Sequence, residues 1–197
     1  LRNFNEKMFS LKFPNFIPST LISSNKKEIT NFIKLQNEKV VLKPLNLMGG
    51  KNIFIVEIND PNIFTIIENL TNDEKEKIVI QEFLPEIKNG DKRIIIINGI
   101  VVDFCLYRFA KKNSLIANLA RGGTSKVKKI KKTDKLIANE VAKELKQKKI
   151  FLAGLDMIGN KITEINITSP TGFVEINSSD KIDLGEVFFN QLSILKK

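Results

Sequence analysis

The sequence of 197 residues contains no histidine and only one cysteine, and both shortages limit the chemistry that the chain can perform. Without histidine there is no Ser-His pair, no imidazole acid-base catalyst and no histidine-bound metal. The single cysteine, Cys105, excludes an intrachain disulfide, and its place in the strand-like segment VVDFCLYRF indicates a core residue rather than a nucleophile. Catalysis would have to use carboxylates, lysines, arginines or a bound metal.

Long apolar runs are also missing. No run approaches the ~20 residues of a membrane-spanning helix, and no signal peptide opens the chain. We therefore expect a cytoplasmic protein that does not enter a membrane. Because the chain begins with Leu1 rather than methionine, we also expect it to be part of a longer protein. Its 42% of apolar and 27% of charged residues are typical of a globular protein of one domain or two small lobes.

The clearest compositional bias is a formal net charge of +10. Basic patches give non-specific affinity for phosphates, so a nucleic acid is one candidate partner. The lysines, however, lie mainly in solvated runs at 126–132 and 143–149, without the interleaved aromatic side chains that stack on single-stranded bases. We therefore expect no nucleic-acid partner.

The stretch FLAGLDMIGNKITEINITSPTGFVEIN, residues 151–177, predicts two strands and a polar tail with oxygen ligands. In the second strand, a period of two predicts a polar face and a packed face. The polar face would carry Ile162, Glu164, Asn166 and Thr168, and the packed face Thr163, Ile165 and Ile167. In the first strand, Asp156 is a lone charge in an apolar run, which is costly unless it is paired or bound to a metal.

The length of the turn between these strands decides whether two carboxylates meet. A three-residue turn at 159–161 would set Asp156 opposite Glu164, whereas a two-residue turn would set Asp156 against Thr163. A shared metal site therefore requires the longer turn. Two carboxylates and the amide oxygen of Asn166 are hard ligands that suit Mg²⁺, although a hairpin with one buried Asp and an outward Glu is also common without metal.

The motif GLDMIG…TEINITSPTGFVEI resembles, without a gap, the C-terminal signature of bacterial glutathione synthetases, which are ATP-grasp ligases. The resemblance implies an α+β fold in which two α/β lobes sandwich the nucleotide. Residues 1–80 would form an N-terminal helix and the lid lobe, and residues 81–197 the catalytic lobe. The family's N-terminal domain would be absent from this chain, and a homo-oligomer would form through the full-length protein.

The cofactors implied by the resemblance are ATP and Mg²⁺, with Mn²⁺ as the alternative metal. It makes Asp156, Glu164 and Asn166 the metal ligands and assigns nucleotide contacts to three further segments. These contacts are Lys7 in NEK, Lys43 and the turn Gly49-Gly50 in KPLNLMGGK, and the adenine hinge Gln81, Glu82, Phe83 and Leu84 in IVIQEFLP. From spacing alone, a lysine before a glycine turn can place an ammonium group and backbone N–H groups around phosphates, but the same spacing more often belongs to an ordinary hairpin turn.

Two arginines complete the implied active site. The segment KNGDKRIIIINGIVVDFCLYRF predicts a hairpin with its turn at Asn98-Gly99, and Arg93 and Arg108 lie near the ends remote from that turn. We expect them to meet at one edge of the sheet, where paired arginines recognise carboxylates and phosphates. By the resemblance they contact nucleotide phosphate or substrate, and one of them would stabilise the tetrahedral oxyanion.

The substrate segments follow from the same resemblance. Ser169, Thr171 and Gly172 in SPTG would bind the terminal groups of the dipeptide, although bare spacing indicates a simple turn. Residues 109–125 would form a mobile flap over the site. Ile116 and Thr124 occupy flap positions where the family has arginine, and Arg121 is displaced within the loop.

The implied reaction joins γ-glutamylcysteine to glycine with ATP, through an acyl phosphate. Two alternatives remain open: another ATP-grasp carboxylate-amine ligase, or a catalytically silent ATP-binding relative. The side-chain pattern further predicts several helices. The first helix covers 1–13, with Phe4, Met8 and Leu11 on one face, and the second covers 26–36 after an N-cap at Ser24 or Asn25. A third covers 61–70, and the end of the chain forms a helix from Asp183. The helix at 133–148 would be capped by Thr133 or Asp134, with Leu136, Ile137, Val141 and Leu145 inward.

Overall fold

The computed structural model describes residues 5–36, 39–47, 50–111, 122–179 and 181–195. Within them the chain forms six α-helices and nine β-strands. The helices are α1 (Glu6–Phe9), α2 (Lys26–Gln36), α3 (Ile63–Thr71), α4 (Lys132–Gln147), α5 (Phe173–Asn177) and α6 (Leu184–Ile194). The strands are β1 (Thr20–Ser23), β2 (Val40–Pro44), β3 (Phe54–Val56), β4 (Ile78–Glu82), β5 (Asp91–Ile97), β6 (Ile100–Phe109), β7 (Thr124–Lys129), β8 (Leu152–Ile158) and β9 (Lys161–Asn166). None of the described helices is long and apolar enough to cross a membrane.

The chain divides into two compact units, and its first residues belong to the unit formed mainly by its second half. One unit is Ile17–Pro85; the other combines Leu1–Phe16 with Glu86–Lys197. This differs from the expected division at residue 80, because the segment around α1 is bonded to β9. Ile162 N donates to Phe16 O at 2.7 Å, and Ile167 N donates to Glu6 Oε1 at 2.7 Å.

The unit Ile17–Pro85, hereafter the four-stranded unit, is an antiparallel sheet in the order β1-β4-β2-β3. Helices α2 and α3 bury Ile29, Ile33, Ile63 and Ile67 against apolar side chains of β2, β3 and β4. The prediction of a helix at 26–36 is confirmed, and Asn25 is the residue that caps it, since its Oδ1 accepts from Glu28 N at 3.0 Å.

The other unit, hereafter the five-stranded unit, is an antiparallel sheet in the order β7-β6-β5-β8-β9. One face packs α5 and α6 onto an apolar core that includes Ile95, Ile97 and Leu106. The opposite face is in contact with α4. The predicted hairpin turn at Asn98-Gly99 is confirmed, with φ of 50° and 77° as a tight two-residue turn requires.

Strand β7 was not predicted. The sequence suggested that its residues belong partly to a flap and partly to a solvated lysine run, but they pair with β6 from Thr124 opposite Phe109 to Lys129 opposite Phe104. β7 is an edge strand, and charged lysines on such an edge oppose pairing with other chains. Thr124 is therefore the first residue of a strand, whereas Ile116 and Arg121 lie outside the described residues.

Two helical predictions need correction. In α1, Phe9 is buried, whereas Met8 and Leu11 are exposed; Phe4 lies outside the described residues. The helix proper is only four residues long, and a 3-10 turn at Ser10–Lys12 follows it. The predicted apolar face assumed a regular helix up to Phe13, which the change to 3-10 geometry prevents.

Helix α4 begins one residue earlier than predicted and is not capped by Thr133 or Asp134. Its N-cap is Lys131, whose side chain makes no capping bond. Asp134 is buried instead, where it pairs with Lys92 of β5. Leu136 is 68% exposed rather than inward. The prediction that Cys105 is a core residue is confirmed, and burial raises the pKa of its thiol to about 12.

Candidate functional site

One face of the five-stranded sheet collects the charged residues that the sequence singled out. In the register of the sheet, Arg93 of β5 lies opposite Asp156 of β8, and Asp156 lies opposite Glu164 of β9. Directly opposed residues of antiparallel strands point to the same face. Arg108 joins this face because it lies opposite Asp91, which is two residues before Arg93 on β5.

A β-bulge, rather than the length of the turn, brings the two carboxylates together. The turn between β8 and β9 has two residues, because Ile158 pairs with Lys161, so the predicted three-residue turn is wrong. The alternative pairing of Asp156 with Thr163 is also wrong, since the register shifts there and Asp156 faces Glu164.

The bulge also changes the faces of β9. Thr163 is the extra residue, and its Oγ1 lies 3.3 Å from Asp156 O. Before the bulge Ile162 pairs with Met157, and after it Ile165 pairs with Leu155. Ile162 therefore shares the packed face with Ile165, and both are fully buried. The predicted alternation, which put Ile162 beside Glu164, is wrong at this position.

Asp156 is 5% exposed and is surrounded by nitrogen donors. Arg93 binds it with two nitrogens: Nε contacts Oδ1, and Nη2 donates to Oδ2 at 2.8 Å. Arg108 Nη2 lies 3.0 Å from Oδ1, and Asn166 Nδ2 donates to Oδ2 at 3.2 Å. These contacts use the four lone-pair directions of the carboxylate. Pairing with arginine therefore compensates the buried charge of Asp156. This was one of the two possibilities for a lone buried carboxylate, the other being a bound metal.

The two arginines keep Asp156 ionised. Burial by itself would raise the pKa of Asp156, but the charges of Arg108 and Arg93 and their hydrogen bonds hold it at about 2. Because this pKa is below that of the unfolded chain, the stabilising contribution of Asp156 is present above about pH 4 and is lost as the pH falls toward 2. The arginines meet near the strand ends remote from the Asn98-Gly99 turn, as expected, because Arg93 is the third residue of β5 and Arg108 is the last but one of β6.

Asp91 joins Arg93, Arg108 and Asp156 as the fourth member of a charged cluster, and it was not among the predicted site residues. Its Oδ2 contacts Arg108 Nη2, whereas Asp91 Oδ1 and Arg108 Nε are buried without a hydrogen-bond partner among the described residues. Burial raises the pKa of Asp91 to about 6, despite the opposing charge of Arg108. The hairpin turn together with a period of two puts Asp91 on the same face as Arg93, but its pairing with Arg108 also depends on a register shift between Ile94 and Ile96, which the sequence does not indicate.

Asp91 is expected to make the stability of the protein depend on pH. A carboxyl whose pKa is higher in the folded than in the unfolded state favours folding when protonated, so the free energy of unfolding should fall as the pH rises from about 4 to about 6. Asp91→Asn should remove this fall, because an amide does not ionise. Urea denaturation across that range measures it. Asp103→Asn, which removes an exposed carboxylate, is the matched control, and equal slopes in Asp91→Asn and the wild type would contradict the prediction.

The remaining predicted metal ligands lie beside this cluster. Glu164 is half-buried, and its Oε1 lies 3.6 Å from Lys7 Nζ of α1. Asn166 directs its Nδ2 toward Asp156, so its amide oxygen is on the other side of the amide group. The described residues contain no group of three acidic, histidine or cysteine side chains that could hold a metal by themselves. A cation would fit Glu164 and Asn166, with the rest of its shell supplied by phosphate oxygens.

The SPTG segment contacts one of these arginines, Arg93. Arg93 Nη1 donates to Thr171 O at 3.0 Å and lies 3.4 Å from Thr171 Oγ1. Gly154 of β8 permits this approach, because a Cβ there would lie 2.9 Å from both Arg93 Cδ and Pro170 Cβ. Gly172 is buried with φ of +118°, and Ser169 is exposed. Arg93 thus connects Asp156 to the predicted substrate segment.

The predicted nucleotide contacts of the four-stranded unit form a separate group. Lys43 lies within β2 and donates to Gln81 Oε1 at 2.7 Å. Gln81 in turn donates to Thr20 Oγ1 at 3.1 Å, so its side chain supports Lys43. In the hinge, Glu82 Oε2 accepts from Ser19 N at 3.1 Å, and Phe83 N donates to Lys39 O at 3.1 Å.

The remaining predicted nucleotide contacts are Leu84 of the hinge and the glycine turn. Leu84 follows the strand and is half-buried. Gly50 has a φ of 74°, which glycine adopts without strain. Gly49 lies outside the described residues. The nucleotide contacts of these residues stay predictions.

Comparison with known proteins identifies the family. Residues 6–181 match the family described as "Prokaryotic glutathione synthetase, ATP-grasp domain". The glutathione synthetase of Buchnera aphidicola subsp. Acyrthosiphon pisum is 46% identical over 184 residues, which are 93% of this chain and 57% of that protein. That of Vibrio parahaemolyticus is 44% identical, over 93% of this chain and 58% of that protein. That of Wigglesworthia glossinidia brevipalpis is 43% identical, over 99% and 61%.

Solved structures agree on the fold. The ATP-grasp ligase PsnB complexed with minimal precursor has a TM-score of 0.67 at 17% identity, over 96% of this chain and 60% of that chain. D-cycloserine synthetase DcsG has a TM-score of 0.73 at 11% identity, over 98% and 70%. The chain spans about 60% of the length of the glutathione synthetases named above. It has the ATP-grasp fold and belongs to the prokaryotic glutathione synthetase ATP-grasp domain family.

Proposed function

We propose that this chain is the ATP-binding and catalytic part of a glutathione synthetase, which joins γ-glutamylcysteine to glycine and converts ATP to ADP and phosphate. Identity of 43–46% to proteins named glutathione synthetase supports the proposal. The observation that carries it is the charged cluster on one sheet face, in which Arg93 and Arg108 share Asp156 opposite Glu164. An acyl-phosphate reaction between two anions needs cationic donors in fixed positions, and the carboxylates of this cluster hold two guanidinium groups in place.

The cofactors follow from the family. ATP-grasp ligases of this family use ATP with Mg²⁺, and Glu164 and Asn166 are the residues that would hold the cation here, with Asp156 next to them. Mn²⁺ is the alternative metal. A bound Mg²⁺ neutralises part of the charge on the ATP phosphates. Asp156 contributes by keeping both guanidinium groups oriented on this face of the sheet. Lys43 and Lys7 remain the predicted phosphate contacts of their segments.

The reaction has two steps. First, a carboxylate oxygen of the dipeptide attacks the γ-phosphorus, the bond to the β-phosphate oxygen breaks, and ADP leaves. Then the glycine amine attacks the carbonyl carbon of the acyl phosphate, loses a proton, and phosphate departs with its bonding electron pair. No enzyme nucleophile is needed, which agrees with the absence of histidine and the buried state of Cys105.

The two arginines differ in their suitability as oxyanion donors. Arg108 lies between the carboxylates of Asp91 and Asp156. Arg93 Nη1 instead faces Thr171, in the segment predicted to bind the dipeptide with Ser169 and Gly172. This supports Arg93 as the group that stabilises the tetrahedral oxyanion and Arg108 as the group that keeps Asp156 in place. The homo-oligomer and the cytoplasmic location stay predictions.

The test is ADP release by the protein with Mg²⁺ and ATP, with γ-glutamylcysteine and glycine added separately and together. We expect sustained release only with both, and glutathione as the product by mass spectrometry. Release with a different acid and amine pair, without glutathione, would favour another carboxylate-amine ligase. Mg²⁺-dependent ATP binding without release under any condition would favour a silent relative.

A further inference from the structure

Glu6 is an acidic residue outside the charged cluster, and one of its oxygens is the acceptor for three donors. Glu6 Oε1 accepts from Ile167 N at 2.7 Å, from Thr168 N at 2.9 Å and from Thr168 Oγ1 at 2.9 Å. The two backbone donors come directly after the last residue of β9, where the strand ladder has ended. A carboxylate satisfies such donors more strongly than a neutral acceptor does.

The hydrogen bonds of Glu6 attach a very short helix, α1, to the segment that follows β9. α1 has four residues, which is too few to be stable in isolation. Its other supports are the cap Asn5, whose Oδ1 accepts from Lys7 N at 3.0 Å, and the buried ring of Phe9. Through Glu6, the first turn of α1 is hydrogen-bonded to the two residues that follow β9.

Two parts of the proposed active site adjoin this anchor. Downstream of Thr168, the chain runs directly into Ser169, and it is held again at Thr171, whose carbonyl accepts from Arg93 Nη1 at 3.0 Å. The segment is thus fastened at its start by Glu6 and near its end by Arg93. On the helix side, Lys7 follows Glu6 and lies 3.6 Å from Glu164 Oε1.

We propose that Glu6 is a positioning residue that fixes the start of the substrate segment 169–172 and the ammonium group of Lys7 in one arrangement. It touches neither substrate nor nucleotide and acts through these neighbours. The inference rests on the proposed function, because it assigns the substrate segment to the dipeptide and Lys7 to ATP. Its consequence is that loss of one carboxylate weakens the binding of both ligands, whereas loss of Lys7 weakens only that of ATP.

The experiment compares Glu6→Ala, Glu6→Gln and Lys7→Met with Glu186→Gln, a control that removes an exposed glutamate of α6. Because three hydrogen bonds to a charged group are lost, we expect Glu6→Ala to raise KM for γ-glutamylcysteine and for ATP roughly 10- to 100-fold, with kcat within a few-fold of the wild type. Glu6→Gln keeps an acceptor oxygen and should recover most of this loss. Lys7→Met should raise KM for ATP alone.

A wild-type KM for the dipeptide in Glu6→Ala would overturn the inference, as would an equal rise in Lys7→Met. Amide hydrogen exchange and ATP titration test the positioning role of Glu6 independently of ligase activity. Exchange at Ile167 and Thr168 should accelerate in Glu6→Ala, and its ATP affinity should fall, but no further than in Lys7→Met, because Glu6 acts on ATP through Lys7. Unchanged exchange or ATP affinity would overturn the inference, whereas a wild type that forms no glutathione would instead contradict the proposed function.

Discussion

Glu164→Gln is expected to reduce Mg²⁺-dependent turnover of ATP by at least ~100-fold while the fold stays intact. Glutamine keeps the size and packing of the side chain but removes the negative charge that a cation requires. Glu164 is half-buried and pairs with Lys7 at 3.6 Å, and the substitution keeps the size of the side chain, so it should change stability by no more than ~1 kcal/mol. The measurement is the Mg²⁺ dependence of ADP release, with a thermal melt to verify folding.

Glu140→Gln is the matched control, since it removes the same charge from an exposed ion pair on α4. Lys7→Met removes the same ion pair but keeps the carboxylate of Glu164, so its turnover at saturating ATP should still respond to Mg²⁺, which separates the loss of the ion pair from the loss of the ligand. Asp156→Asn is a poorer test, since it would leave two buried guanidinium groups without their shared counter-charge. Turnover within a few-fold of the wild type in Glu164→Gln would contradict its role as a metal ligand.

The largest effect on stability is expected at the buried pair of Lys92 and Asp134. Lys92 is adjacent to Arg93 on β5, so the pair lies on the opposite face of the sheet from the charged cluster. The two residues are 4% and 2% exposed, and Lys92 Nζ lies 2.7 Å from Asp134 Oδ2. Lys92 Nζ also donates to Gly159 O at 2.5 Å, in the turn between β8 and β9. Lys92→Met would leave a buried carboxylate without its cation, which should cost ~3–5 kcal/mol and lower Tm by roughly 6–20 °C.

A double variant separates the loss of pairing from the loss of packing. Lys92→Met with Asp134→Leu replaces the pair by apolar side chains, and it should recover to within ~2 kcal/mol of the wild type. Lys135→Met is the control for an exposed pair, with Asp103, and should cost no more than ~1 kcal/mol. Urea denaturation of all four proteins gives the comparison. A Lys92→Met variant as stable as the wild type would contradict this account.

Much of the fold could be predicted because local signals agreed with the packing. The helix at 26–36 has both a cap and an apolar stripe, and the Asn98-Gly99 turn lies between two apolar arms. β7 lacks such signals, because its sequence TSKVKK is mostly polar and lies at an exposed edge of the sheet. A polar edge strand has the same composition as a loop, so it is defined only by its pairing with β6.

Most residues of the site could be predicted from the sequence, but the contacts between them could not. The lone carboxylate of Asp156 indicated a pairing partner, and Arg93 and Arg108 were both noted, but their bonds to it depend on the register of three strands. The β-bulge at Thr163 has no signal in composition, because any residue can be the extra one. Register errors of one residue move a side chain to the other face, which is why Ile162 was misplaced.

Crystals of the protein grown with Mn²⁺ and a non-hydrolysable ATP analogue would show whether Glu164 and Asn166 hold the metal, because Mn²⁺ gives an anomalous signal. We expect a metal peak within roughly 2–2.5 Å of a carboxylate oxygen of Glu164 and the amide oxygen of Asn166, with phosphate oxygens completing the shell. Density for the nucleotide with its metal away from both residues would contradict the assignment of this face as the Mg-ATP site.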